Sequence, residues 1–123
     1  QKHYHFDWTQ VKDEGAKFEN MIALHLLKWV YWLQDTEGRN IELRYFRDVD
    51  GREIDFLIVE DDHPLLCVEC KIKDENPTQA MKYFLSKYPE CKAWHVSLEG
   101  KKVVNTKEGI RIAPAEIFLA EFI

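Results

Sequence analysis

The chain has 123 residues, 46% hydrophobic and 32% charged, the composition of one globular domain with a single core. No apolar run approaches the ~18–20 residues that span a bilayer, and no secretory signal is visible. A net charge of −5 and a pI near 5.5 exclude a general nucleic-acid-coating protein, while leaving room for a local basic cleft or an acidic metal site.

Residues 1–13, QKHYHFDWTQVKD, mix aromatic and polar residues without a period and read as a lead-in from a preceding domain. The chain opens on Gln1 rather than Met, in keeping with a missing N-terminal part. His3 and His5 are read as incidental. Residues 14–34 are predicted to be a helix, with Phe18, Met21, Ile22, Leu26, Trp29, Val30 and Leu33 at helical spacing. Leu24, Leu27 and Tyr31 carry the apolar surface most of the way round, so a central, largely buried helix is expected. DTEGRN at 35–40 is a turn cluster.

Three strands are predicted next. IELRYFRD at 41–48 alternates, and Asp50-Gly51 is a hairpin signal before REIDFLIVE at 52–60. DDHP at 61–64 is a turn, and LLCVECKIK at 65–73 is the third strand. A helix is predicted over 77–88, with Ala80, Met81, Phe84, Leu85 and Tyr88 at apolar spacing behind Pro77. CKAWHVSL at 91–98 reads as a strand, KVVN and IRIA as short strands, and PAEIFLAEFI at 114–123 as a terminal helix. The order gives an α/β sandwich with a mixed sheet over residues 14–123.

Cys67, Cys70 and Cys91 are an odd count, which suggests free thiols and a reducing, cytoplasmic setting. Cys67 and Cys70 have zinc-like CxxC spacing, but positions i and i+3 of a strand face opposite sides of the sheet. Buried small hydrophobes are the expected role.

The chemistry concentrates on the third strand. Glu69 and Lys71 share a face with Leu65 and Cys67, while Leu66, Val68, Cys70 and Ile72 take the other. In the second strand Ile54, Phe56 and Ile58 share a face, opposite Glu53, Asp55 and Leu57. Aligning the apolar faces brings Asp55 near Glu69 and Lys71. Such a cluster is either a structural ion pair or a divalent-metal site with an amine beside it. On the first helix, Glu19 sits among apolar residues, where a carboxylate is costly unless paired or bound to a cation.

These residues resemble the PD-(D/E)XK nuclease superfamily: Glu19 on the first helix, Asp55 on the second strand, and Glu69-Cys70-Lys71 as ExK on the third. Gln79 and Tyr83 on the next helix look like the Gln-x3-Tyr signature of its RecB-like branch. Ile54 stands before Asp55 where the family motif has Pro. The resemblance implies a restriction-endonuclease-like αβββαβ core with a mixed central sheet flanked by helices. It implies Mg²⁺ or Mn²⁺ held by Asp55, Glu69 and the main-chain carbonyl of Cys70, with Glu19 completing the acidic cluster. Lys71 would orient the attacking water or neutralise developing charge, and Gln79 and Tyr83 would shape the cleft or contact substrate. The implied reaction is hydrolysis of a phosphodiester bond in nucleic acid, with DNA the expected substrate.

A narrower resemblance covers nearly the whole chain. HFDW, GAKFENMIALHLLKW, DTEGRNIELRYFRDVDGREIDFLI and PLLCVECK look like the C-terminal domain of predicted AAA+ ATPases. It implies an ATPase domain of the same longer chain as partner, and no phosphate loop GxxxxGK[ST] occurs here. Three readings follow: a metal-dependent nuclease domain, a catalytically inactive nuclease-fold module for nucleic-acid recognition or assembly of the ATPase, and an unrelated interaction domain with a structural ion cluster. Lys73, Lys82, Lys87, Arg44, Arg47 and Arg52 are candidates for a phosphate-binding rim. Trp29, Trp32 and Trp94 are read as core or edge packing. His25 and His95 are read as packing or surface residues. No membrane partner is expected, and an exposed sheet edge could pair two copies.

Overall fold

Glu14–Glu37 forms one helix, α1, longer at its C-terminal end than its periodicity predicts. It stops at Gly38, whose φ of 62° is left-handed and open to glycine without strain. That geometry lets the Gly38 and Arg39 amides reach back to the carbonyls of Gln34 and Leu33. The computed structural model describes residues 14–47, 53–73 and 75–121, side chains at 45–47 and 53 excepted. The lead-in at 1–13, with His3 and His5, lies outside the described residues, as do the Asp50-Gly51 hairpin signal and Arg52.

After α1 come β1 (Ile41–Arg47), β2 (Glu53–Glu60), β3 (His63–Lys71), α2 (Gln79–Lys87), β4 (Lys92–Ser97), β5 (Val104–Asn105), β6 (Ile110–Pro114) and α3 (Ala115–Ala120). The six strands form one sheet in the order β1-β2-β3-β4-β6-β5. The β1–β2, β2–β3 and β5–β6 pairs are antiparallel, while β3–β4 and β4–β6 are parallel. The parallel β3–β4 pair needs a crossover, which α2 supplies. This is an α/β fold with a central mixed sheet flanked by helices, and its αβββαβ order is that of a restriction-endonuclease-like core.

Two apolar layers hold the sheet. On one face, Ile22, Leu26 and Val30 of α1 and Phe118 of α3 pack on Phe56, Ile58, Leu66, Val68, Trp94 and Val96. On the other, Met81, Phe84 and Leu85 of α2 pack on Ile54, Leu57, Val59, Cys67 and Ala93. Each large buried side chain contributes about 1.5–3 kcal/mol relative to exposure. Trp94 meets Phe118 edge to face at 5.2 Å, and the Arg111 guanidinium lies 5.2 Å from the Trp94 ring centre.

Two bulges change the strand parity that simple alternation predicts. Between the pairs Arg44↔Leu57 and Phe46↔Ile54, β2 advances three residues where β1 advances two. Ile54 therefore packs on the α2 side with Leu57, while Phe56 and Ile58 face α1; the expected shared face of all three is corrected. Between Ile58↔Leu66 and Val59↔Pro64, the extra residue falls in β3, and Leu65 turns to the α1 side. The rest of β3 keeps the expected alternation: Cys67 and Cys70 face opposite layers, so the CxxC spacing makes no chelate.

The β2–β3 connection is a two-residue turn at Asp61 and Asp62, both left-handed, with φ of 51° and 64°. Aspartate tolerates this region better than most side chains. Arg39 grips the Glu60 carboxylate with two nitrogens at 2.8 and 2.7 Å, tying the α1–β1 corner to β2. Glu60 is held below its usual pKa by that hydrogen-bonded guanidinium.

The outer face of α1 departs from expectation. The helix is not buried all round, since Leu24 is 37% exposed and Tyr31 and Trp32 are each 56% exposed. Trp32 is thus an exposed residue, not core or edge packing, while Trp29 and Trp94 do pack.

Candidate functional site

The site is built where the parallel strands β3 and β4 end and α2 begins. Glu69 on β3 is the register partner of His95 on β4, and Lys71 is the partner of Ser97. The β3 chain turns after Lys71 toward α2, whose N-cap is Thr78. Thr78 has extended backbone, and its hydroxyl accepts from the Met81 amide at 3.4 Å.

These three elements converge on one carboxylate. Glu69 is only 3% exposed. Its Oε1 lies 2.9 Å from His95 Nδ1 and accepts from the Thr78 amide at 3.2 Å. Its Oε2 accepts from the Thr78 hydroxyl. Burial pushes the Glu69 carboxyl up, but the His95 ring, the Thr78 hydroxyl and the Thr78 amide outweigh it. The net pKa lies below the ordinary carboxylate value. The position before the first turn of α2 also favours a negative charge.

The expected site residues divide between the two faces of the sheet. Asp55 sits at the β2 bulge, where regular β2–β3 pairing stops at Phe56↔Val68. Its Oδ2 takes the Cys70 amide at 2.7 Å. Cys70 packs toward α1, the helix that carries Glu19. Burial pushes the Cys70 thiol up, and the charges of Asp55, Glu19 and Glu69 push it further, while Lys71 opposes them. Asp55 thus reaches the ExK strand at the Cys70 amide. Glu69 leaves β3 on the opposite face, toward α2.

Gln79 is exposed on the first turn of α2, next to Thr78. Tyr83, one turn on, is half-buried, with the Lys87 ammonium 5.0 Å from its ring centre. Of the proposed basic rim, Arg44 is engaged by Glu42 and lies 3.6 Å from Asp62. His25 is exposed.

Thr78, His95 and Ser97 were not among the expected site residues. His95 and Ser97 are fully buried, and His95 Nε2 and Ser97 Oγ have no hydrogen-bond partner among the described residues. With Nδ1–H donating to Glu69, a neutral His95 would present Nε2 as an acceptor. The signal was present in the sequence: His95 and Ser97 alternate on one face of a strand that runs beside the ExK strand.

Both Glu69 oxygens and Asp55 Oδ2 already accept protein hydrogen bonds. Among the described residues no group of three or more His, Cys, Asp or Glu side chains could hold a metal ion. No helix among the described residues is long and apolar enough to cross a membrane.

The fold and this polar strand-end place the chain in the class of small α/β domains with a restriction-endonuclease-like mixed sheet. Residues 14–118 match the family model described as Domain of unknown function (DUF4143), and the chain belongs to that family. No curated protein matches the chain, and no solved structure does.

Proposed function

We propose that the domain is a nuclease-fold module that does not cut, and that it serves assembly of an attached AAA+ ATPase in preference to nucleic-acid recognition. The observation that carries this reading is the state of Glu69. The carboxylate that would hold a catalytic cation is buried between His95 and Thr78, and both of its oxygens accept from their donors. It acts as a clamp joining β3, β4 and the start of α2. The choice of assembly rests on charge: the chain carries a net −5, and Arg44 already has carboxylate partners. The sequence resemblance supplies the partner, an ATPase domain of the same longer chain, with residues 1–13 as lead-in and 14–123 as the module.

A nuclease reading has one observation in its favour, the hydrogen bond from the Cys70 amide that brings the Asp55 carboxylate to the strand carrying Glu69 and Lys71. In it, Asp55, Glu69 and the Cys70 carbonyl would hold Mg²⁺ or Mn²⁺ with Glu19 nearby. Glu69 would bind the ion beside its Thr78 and His95 donors, which would hold the carboxylate in place.

Calorimetric titration of Mn²⁺ into the wild-type chain and a Glu69→Ala variant, beside incubation with DNA and RNA, separates the two. The module reading expects no saturable binding and no cleavage. Saturable binding that disappears in a folded Glu69→Ala variant, with cleavage by the wild type, would overturn it.

A further inference from the structure

The outer face of α1 carries a pattern that, apart from Met21, which packs on the core, neither the core nor the strand-end site uses. Lys17, Met21, Leu24, Lys28, Tyr31 and Asp35 recur at alternating spacings of four and three. At 3.6 residues per turn they form one stripe, directly opposite the buried line of Ile22, Leu26 and Val30. Lys17, Leu24, Lys28, Tyr31 and Asp35 are exposed, and Met21 is half-buried. Leu27, also half-buried, and the exposed Trp32 flank the stripe. A solvent-facing helix stripe is normally polar, so the exposed Leu24, Tyr31 and neighbouring Trp32 between charged ends, interrupted only by Lys28, need a reason.

The stripe is complementary to itself when reversed. Set antiparallel to a second copy about the level of Leu26, Lys17 meets Asp35, Met21 meets Tyr31, and Leu24 meets Lys28. The same three pairings repeat on the other side of the twofold axis. Two opposite-charge pairs then close the ends, and between them lie Met21, Leu24, Tyr31 and the Lys28 stem of each copy. The Lys28 stem can lie along Leu24 while its ammonium stays in water. This is the self-complementarity an isologous interface requires. The 3–4 spacing is that of a two-helix seam.

We propose that two copies of this chain associate through α1, antiparallel, with Leu24 against the Lys28 stem at the centre, Tyr31 against Met21 outside them and Lys17–Asp35 pairs at both ends. The association is independent of whether the strand-end site cuts. One helix seam covers less than the ~800 Å² per partner of a standard interface, so the dimer is weak, with dissociation on the order of tens of micromolar.

Sedimentation equilibrium on the purified chain, from low to several hundred micromolar, tests the pairing. The wild type is expected to pass from monomer to dimer. Leu24→Lys with Tyr31→Lys, both at exposed positions, should keep the helical circular dichroism and abolish the dimer. Lys17→Asp alone should raise the dissociation constant about tenfold, and Lys17→Asp with Asp35→Lys should restore it, because the swap recreates both end pairs. Three outcomes overturn the proposal. One is a monomer at every concentration, which leaves the stripe to a different protein. Another is a dimer indifferent to the Leu24 and Tyr31 changes, which places it on another surface such as a sheet edge. The third is a charge swap that fails to restore what Lys17→Asp removes.

Discussion

Glu69 and His95 face each other across the parallel β3–β4 ladder, joined by a 2.9 Å contact between Oε1 and Nδ1. Both side chains are buried, so the contact is shielded from water and salt. Removing His95 leaves the buried Glu69 carboxylate with the Thr78 donors alone. His95→Ala is therefore expected to cost about 2–4 kcal/mol, from a lost charge-assisted hydrogen bond and a cavity. Urea unfolding measures it. A loss below about 0.5 kcal/mol would mean that Thr78 alone satisfies Glu69.

The Glu69 carboxyl also sets a pH limb. Its pKa in the folded chain lies below the ordinary value it regains on unfolding. As pH falls, the unfolded chain takes up the proton first, so stability drops. The contribution is complete above the ordinary carboxylate pKa and is lost as pH falls through the lower folded value. Glu60 and Glu108 are shifted the same way, so they add to the limb. Glu69→Gln should make the plot of unfolding free energy against pH shallower below about pH 5. An unchanged acid slope in that variant would remove Glu69 from the linkage.

Thr78 serves two elements with one hydroxyl, donating to Glu69 and accepting from the Met81 amide. Thr78→Val preserves shape and removes both bonds. The expected loss is about 2–4 kcal/mol, the sum of an N-cap and a hydrogen bond to a charged group. Thr78→Ser should recover most of it. Thermal unfolding of the pair checks this, and equal melting temperatures for Val and Ser would show that the hydroxyl is not the clamp.

Much of this fold was legible because its elements carry consistent periods. The helical spacing of Phe18, Ile22, Leu26 and Leu33 located α1, and alternation around Val68 located β3. The bulges at Asp55 and Leu65 were not legible, because an inserted residue changes parity without changing composition. Ile54 and Leu65 were accordingly assigned to the wrong faces. The charged residues near Cys70 were legible as a set, yet their bonds were not. Whether Glu69 meets an ion or Thr78 and His95 depends on the β3–β4 register and the entry angle of α2, both set by tertiary packing. Trp32 was misread for a related reason: apolar character on every face of a helix does not say which face lacks a neighbour.

The β2 bulge gives the last prediction. Regular pairing between β2 and β3 ends at Phe56↔Val68, and the Cys70 amide turns to Asp55 Oδ2 at 2.7 Å. The carboxylate thus takes a donor on β3 beyond the last regular pair. Asp55→Asn keeps an acceptor oxygen in place, whereas Asp55→Ala leaves a partly buried amide without one. Asp55→Ala should cost about 1–3 kcal/mol and Asp55→Asn less than half of that. Hydrogen exchange supplies the local readout: the Cys70 amide should lose protection in the alanine variant by more than the global loss of stability accounts for. If its protection falls only as far as global unfolding does, the Asp55 bond does not hold that strand end, and the splay of β2 from β3 must be fixed by the packing of Ile54 against α2.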